Sequence, residues 1–457
     1  MAVTSDIIQK LEQLLQANSK SFDNQRNCNT TQRLEEIASS FSFDAPFSKT
    51  LDFYCQKFEK SGKICSSYTK DGKVEDPNPI TAYGMQIFAL LVYLKTLTIF
   101  EREGSLIERS KSLNLCLKVS DTPSIYALFK SKQINLEELQ WQILDRSQKS
   151  HVKSKFDSTT KINSKAKDTE FKKLPIDILF YEGPIARAYL ETLYLLGLKP
   201  RRIVRLVLDR DTYTGKKHLK YFPRSVQIRY SKLSHFQRMT HWKRVLARKY
   251  PTVIRDVHAS ISEFFNIPLN SIENAQKFIH LDKYCDDVDD LVIANVKDVR
   301  LQEYLESATS QNYIFTGGGI LPKEIFNLPH LNLLHIHPGY LPDIRGADGL
   351  LWSSIILGAP SVSSFVMDAG LDTGRLLHTE ILPTLPLQVS TKHMTAKMKY
   401  RLIYSSVDPW IRAHGLIQTL EKTHSFRNIQ GVNQNITHGT EFHFMHPSLY
   451  DKVISSF

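Results

Sequence analysis

From Ile176 onward the chain alternates between short, continuous apolar runs and longer segments with apolar residues at helical spacing. "IDILFY" (Ile176–Tyr181) is apolar almost throughout and closes on Gly183 and Pro184. "PIARAYLETLYLLGLKP" then places its apolar residues on one helical face and stops at Gly197 and Pro200. "RIVRLVLD" (Arg202–Asp209) is a second apolar run. Strand, helix and strand in so short a span form a βαβ unit, which predicts a parallel sheet with right-handed crossovers. Further strands are expected in "AQKFIHL" near 275–281, "NYIFTGG" at 312–318, "LNLLHIH" at 331–337 and "SVSSFVMD" at 361–368. "VRLQEYLESA" reads as a helix before the run Gly317, Gly318, Gly319. The pattern therefore predicts an α/β fold, an open and mostly parallel sheet whose ligands gather beyond the carboxyl ends of its strands.

Before this region the periodicity is different. "KSHVKSKFDSTTKINSKAKDTEFKK" (Lys149–Lys173) has almost no apolar residue in period and cannot bury enough surface to offset the entropy of ordering, so it reads as a basic linker. Upstream, apolar residues at helical spacing predict a mostly helical region over 1–148, beginning with an amphipathic helix in "MAVTSDIIQKLEQLLQA". "MQIFALLVYLKTLTIF" (Met85–Phe100) is interrupted by Lys95 and is shorter than the ~20 apolar residues of a membrane span. A buried helix is expected there. No catalytic pattern is found in 1–148.

Composition adds two constraints. The five cysteines, Cys28, Cys55, Cys65, Cys116 and Cys285, form no C-x-x-C pair, and with no export signal they point to reduced thiols and a cytoplasmic protein. The formal charge of +12 is concentrated: residues 201–250 carry 15 Lys and Arg against 2 Asp, an excess of 13. Arg201, Arg202 and Arg205 flank or occupy the second strand, and Lys216, Lys217, Lys220 and Arg224 are expected in the loop after it. Such a field suits a phosphate-bearing partner, while a solvated basic face is the plainer alternative.

Candidate chemistry lies where "LNLLHIHPGYLPDIRGADGLLW" breaks from apolar strand to turn. His335 and His337 stand two apart, so a strand points both to one face, and Pro338 ends the ladder. Downstream, "MDAGLDTGRLLHTE" brings Asp368 and Asp372 in a glycine-bounded loop. Two imidazoles and a carboxylate in one cleft allow proton transfer. They would also serve as ligands of a hydrolytic zinc site, and two satisfied edge histidines are the bland alternative. The glycine run has no phosphate-loop pattern around it and reads first as a turn needing positive φ.

Taken together, these residues resemble the tetrahydrofolate-dependent formyltransferases. That family has an Asn-x-His-Pro step, a Leu-Pro turn, an Arg-Gly pair and then an Asp-x-Gly-x-Asp-Thr-Gly loop. The chain has His335, Ile336, His337, Pro338, then Leu341, Pro342, Arg345, Gly346, and finally Asp368, Gly370, Asp372, Thr373, Gly374. It departs from the pattern where His335 replaces the Asn, Gly339 stands where a Ser is usual, and Tyr340 replaces a Leu. The resemblance implies a Rossmann-like domain that passes a formyl group from 10-formyltetrahydrofolate to an amine. By the same resemblance His337 would stabilise the oxyanion and move the proton, Asp372 would orient it, and His335 would take the place of the amide donor. Leu341, Pro342, Gly318, Asp368 and Gly370 would lie on the folate side, and Arg345, Gly346 and Arg202 on the acceptor side, with no metal.

The expected organisation is a helical region over 1–148, a linker over 149–173, a formyltransferase-like catalytic domain over 174–425 and a short extension over 426–457. "GTEFHFMHPSLYDK" in that extension reads as a closing edge strand. The remaining length is short for the β-barrel of the methionyl-tRNA branch, which favours a small, phosphorylated amine acceptor over nucleic acid, with no membrane partner. Hydrolysis of the formyl donor, or silent folate or nucleotide binding, are the alternatives.

Overall fold

The computed structural model describes residues 103–149 and 171–454 apart from a few loop positions, and before them six residues between Ala89 and Phe100. The expected N-terminal amphipathic helix and nearly all of the linker lie outside the described residues. The chain divides into two compact units, Met1–Arg146 and Ser147–Phe457. In the first, Ala89, Val92, Tyr93, Thr96, Ile99 and Phe100 are helical and buried, in keeping with a buried helix over this stretch. Three helices follow, Leu106–Ser120, Pro123–Ser131 and Glu137–Lys149. The first opens on a capping box, in which Ser105 Oγ accepts from the Glu108 amide at 3.2 Å and the Glu108 carboxylate accepts from the Ser105 amide at 2.9 Å.

The second unit is built on a seven-stranded sheet. Its strands in chain order are β1 (Lys172–Lys173), β2 (Asp177–Phe180), β3 (Leu198–Lys199), β4 (Arg202–Leu208), β5 (Val288–Ile293), β6 (Asn312–Phe315), β7 (Asn332–His337), β8 (Ile344–Gly346), β9 (Ser361–Val366), β10 (Arg375–Ile381) and β11 (Thr440–Phe442). The sheet order is β10-β9-β7-β6-β2-β4-β5, with β1-β3 and β11-β8 as two small satellites. Five neighbours, β7 to β5, run parallel, and β9 and β10 add an antiparallel edge. The predicted βαβ unit is present as β2, the helix Pro184–Leu195 and β4.

One face of the sheet is apolar and continuous. Leu179, Val204, Leu206, Leu208, Tyr313, Phe315 and Leu333 project to it and are covered by Leu301 and Leu305 of the helix Val299–Ser307 and by Leu321 and Ile325. By strand alternation His335 and His337 continue the line of Leu333 on this face. The other face packs on the helix Asp408–Lys422, where Gly415 approaches Val362 and Ile336.

Three expectations change. The stretch 275–281 is not a strand but the end of the helix Leu269–Asn274, a turn and the start of a 3₁₀ segment. The strand beside β4 is instead β5, "VDDLVI", whose Asp289 and Asp290 mask its apolar pattern. Arg224 does not belong to a loop: it begins the helix Arg224–Met239, the first of four helices that fill 224–274. Finally, β11 pairs in parallel with β8, and so does not close the main sheet.

Gly415 sits in the middle of its helix. A Cβ there would lie 2.5 Å from Val362 Cγ2 and 3.0 Å from Ile336 Cγ2. Alanine would gain about 1 kcal/mol of helix propensity, but overpacking costs ~1–3 kcal/mol, so the clash should win. Gly415→Ala is expected to lower the melting temperature by roughly 2–4 °C for each kcal/mol lost. A melting temperature equal to or above the parent's would mean that the helix can slide off β7 and β9 without penalty.

Candidate active site

The chain leaves β2 for β4 and β5 on one side, then returns to β6 and β7 on the other. This places the reversal of strand order between β2 and β6, the position where open α/β sheets open a crevice beyond their carboxyl ends. Thr316 fixes the mouth: its Oγ1 accepts from the Tyr181 amide at 2.9 Å and donates to the Leu179 carbonyl at 3.0 Å. The glycine run follows directly. Gly319 has φ of +103°, the turn geometry expected, while Gly318 is exposed and a Cβ on it would meet nothing within 4 Å.

One strand further on, β7 ends in the two histidines. His337 is 4% exposed and lies between two acceptors. Its Nε2 is 3.1 Å from the Ile344 carbonyl and its Nδ1 is 3.5 Å from Asp372 Oδ2. A ring with one proton can donate to only one of them, and the imidazolium can donate to both. Burial lowers the pKa of His337, and the Asp372 charge opposes that shift. Asp372 sits in the left-handed region with φ of +55°, and the Gly346 amide donates to its Oδ2 at 2.8 Å.

His335 is half-buried. Its Nδ1 lies 3.1 Å from the Phe315 carbonyl, which can only accept, so this nitrogen carries the proton. Burial holds the ring below the ordinary histidine pKa, Arg412 adds to the effect, and Asp372 works against it. Phe315 and Phe365 flank the ring at centroid distances of 6.2 and 6.0 Å.

The turn after β7 is shaped to this arrangement. A Cβ at Gly339 would fall 2.4 Å from His337 Nε2, which gives the departure from Ser a steric reason. Ser363 Oγ donates to the Gly339 carbonyl at 2.7 Å and accepts from the Leu341 amide at 3.0 Å. Leu341 is fully buried, and the Leu341–Pro342 peptide is cis.

The other expected site residues divide. Gly346 is at the site and holds Asp372; with φ of +93° and Phe442 O only 2.3 Å from a would-be Cβ, it admits no side chain. Asp368 is exposed and folds its own loop, its Oδ1 accepting from the Gly370 amide at 3.0 Å and Thr373 Oγ1 at 2.7 Å. Arg345 turns toward the C-terminal segment, donating to the Gly439 carbonyl at 3.2 Å. Arg202 is a correction. It is the first residue of β4, at the opposite edge of the parallel sheet from His337, and it pairs with Asp287 at 2.8 Å and Asp289 at 3.3 Å. Arg201 and Arg205 are likewise paired, with Asp177 at 2.8 Å and Asp290 at 2.7 Å. Among the described residues no group of three His, Cys, Asp or Glu is placed to hold a metal ion.

Several contributors carry no sequence signal. Gln434 Nε2 donates to the Asp372 carbonyl at 3.1 Å and the Gly374 carbonyl at 2.6 Å, so the C-terminal segment supports the loop that bears the carboxylate. Arg412 Nη1 donates at 2.6 Å to the Ile336 carbonyl, between the two histidines. Its Nε donates at 3.0 Å to Asp408, whose side chain is 1% exposed. Burial raises the Asp408 pKa and Arg412 opposes the rise. The helix is entered through a π-helical stretch, Ile403–Val407, a local widening often found at functional sites.

The site and the sheet define an α/β domain with a histidine and a carboxylate at one strand end. No family model matches the chain. The methionyl-tRNA formyltransferase of Syntrophus aciditrophicus is 36% identical over 94 residues, 20% of this chain and 30% of that protein. The one from Lachnospira eligens is 32% identical over 133 residues, 29% of this chain and 38% of that protein. Among solved structures, a sugar N-formyltransferase from a Shewanella species aligns at 12% identity over 61% of this chain and 85% of that one, with a TM-score of 0.30. A formyltransferase from Anoxybacillus kamchatkensis, solved with a UDP-linked formamido sugar and tetrahydrofolate, aligns at 19% identity over 34% and 74%, with a TM-score of 0.24. Over this shared segment the chain is similar to methionyl-tRNA formyltransferases. It spans less than half the length of the curated relatives it matches.

The Asp408–Arg412 pair generates a prediction. Arg412→Met would leave a buried carboxylate without its partner and is expected to cost about 3–5 kcal/mol. Adding Asp408→Leu should recover most of that loss, read by denaturant unfolding. Equal stability of the single and double variants would mean that the pair does not hold the strand end.

Proposed function

We propose that the second unit transfers a formyl group from 10-formyltetrahydrofolate to the amine of a small, phosphate-bearing acceptor. The observation that carries this reading is His337 held 3.5 Å from Asp372 at the carboxyl edge of the sheet, one strand from the crevice between β2 and β6. A formyl group on the donor supplies an activated one-carbon unit, and the chain must orient it, take up developing negative charge and move protons. His337 is suited to donate from Nε2 to the developing oxygen anion once that nitrogen leaves the Ile344 carbonyl, with Asp372 holding Nδ1. The open space over Gly318 and the loops of Pro342 and Gly370 would receive the folate. The residues present fit such a guest because Gly318 is exposed, with nothing within 4 Å of a would-be Cβ, while Phe315 and Phe365 flank His335.

The acceptor is inferred from charge. Lys216, Lys217 and Lys220 lie after β4 on the same sheet edge, exposed and without an ion-pair partner among the described residues. β4 is three strand spacings from β7, roughly 14 Å at ~4.8 Å each. That separation suits an acceptor with its amine at the histidines and a diphosphate at the lysines, such as a sugar nucleotide or ribotide. With Arg202, Arg201 and Arg205 committed to aspartates, this loop is what remains of the basic field at the site edge. Among the described residues no helix is long and apolar enough to cross a membrane, and Cys116 and Cys285 are free and buried, which supports a reducing, cytoplasmic setting.

Purified protein given 10-formyltetrahydrofolate labelled in the formyl group, with a panel of aminosugar nucleotides and ribotides, should move label to one acceptor class. His337→Ala should lower that rate by roughly 10²–10³-fold, the range for one lost oxyanion donor. Label that stays on the folate with every acceptor would end this reading, and release as formate without any acceptor would replace transfer by hydrolysis.

A further inference from the structure

The exchange of Asn for His at 335 changes more than shape. An amide held through its oxygen presents an N–H donor to the cleft; a neutral imidazole presents either a donor or a lone pair, according to which nitrogen is protonated. Here the choice is made by the fold. The Phe315 carbonyl at 3.1 Å from Nδ1 has no proton to give, so Nδ1 is the protonated nitrogen and Nε2 holds a lone pair. Nε2 has no partner among the described residues, and it is not among the fully occluded polar atoms left unsatisfied. It therefore keeps some exposure on a half-buried ring, on the same sheet face as His337 and two residues before it, roughly 7 Å along the strand.

We infer that His335 is the proton acceptor for the incoming amine, and not a donor to the formyl oxygen. The inference rests on the transfer reading above. As the amine nitrogen bonds to the formyl carbon, the carbonyl electron pair moves onto oxygen and one N–H proton passes to His335 Nε2. When the oxygen pair returns, the bond from the formyl carbon to the folate N10 breaks, its electron pair stays on N10, and N10 takes a proton from the His335 imidazolium. The amine has lost one proton, N10 has gained one, and the ring is restored.

The division of labour is consistent with both rings. His337, between a carboxylate and a carbonyl, is placed as a hydrogen-bond donor. His335, between two phenylalanine rings and near the Arg412 cation, is placed to be neutral at rest. A neutral base beside a hydrogen-bond donor suits amine acylation, and two donors would leave the amine proton without a taker.

Two measurements on the full chain test this. With ¹⁵N-labelled histidine, long-range proton–nitrogen correlation at pH 7, with the His335 signals found by loss in His335→Asn, should give a protonated Nδ1 and a bare Nε2. A proton on Nε2 overturns the role whatever the kinetics. In turnover, kcat/KM for the amine should fall as the pH drops and His335 becomes protonated, with the midpoint below the ordinary histidine range. His335→Asn, which restores the amide, should abolish that acid limb and lose about 10²-fold or more. An Asn variant as fast as the parent would restore the donor role and overturn the inference. No transfer by the parent protein would overturn both this role and the proposed function, whereas an Nε2 proton in a protein that does transfer overturns this role alone.

Discussion

The end of β7 is where the fold and the site meet, and it is held by an ion pair. Arg412 uses Nε on Asp408 and Nη1 on the Ile336 carbonyl, the backbone group between the two histidines. A charge with side-chain exposure of 13% beside one of 1% is costly to bury, and the pair offsets that cost only while both members and the carbonyl stay in place. The same guanidinium disfavours a second positive charge on His335. One contact thus fixes the geometry of the strand end and biases the protonation of a ring it does not touch by hydrogen bond. Gly415, on the next turn of the same helix, lets the helix come close enough for this to happen.

From that anchor the rest of the site is assembled by groups far apart in the chain. The Gly346 amide positions the Asp372 carboxylate, Gln434 holds the backbone of the Asp372 loop, and β11 lies against β8 so that Gly346 can carry no side chain. The segment after residue 425 is therefore part of the active-site support. Trp352 Nε1 donating to the His443 carbonyl at 3.0 Å and the Met445 amide donating to Asp348 at 2.8 Å tie the same segment to the helix that follows β8. A left-handed non-glycine residue such as Asp372 costs on the order of 1 kcal/mol or more, and these bonds are what hold it there.

The sequence made some of this readable. Strands β2, β4, β6, β7 and β9 were legible because each is a short apolar run with a Gly or Pro stop, and the shared face of His335 and His337 followed from strand alternation. β5 was not legible. Its two interior aspartates belong to ion pairs with Arg202 and Arg205, whose partners lie more than eighty residues away, and a local pattern carries no trace of that. For the same reason the basic excess over 201–250 overstated the field at the site: part of it neutralises β5, and part of it lies on two helices, Arg224–Met239 and His241–Lys249, whose charged faces hid their apolar stripes. Asp372 was found because glycines frame it; Gln434 and Arg412 act through backbone carbonyls and have no motif to mark them.

The departures from the family pattern are coupled, and that coupling argues that they are adaptations of one site. Gly339 makes room for the His337 ring, since a Cβ there would overlap Nε2. With the ring so placed, its two nitrogens meet Ile344 and Asp372. On the proposed reading a donor at 337 makes an amide donor at 335 redundant and a base at 335 useful. The Phe315 carbonyl, at the end of the neighbouring strand, then selects the tautomer that leaves that base exposed. Each substitution is hard to account for alone; together they fit the proposed pairing of a donor with an acceptor on one strand edge.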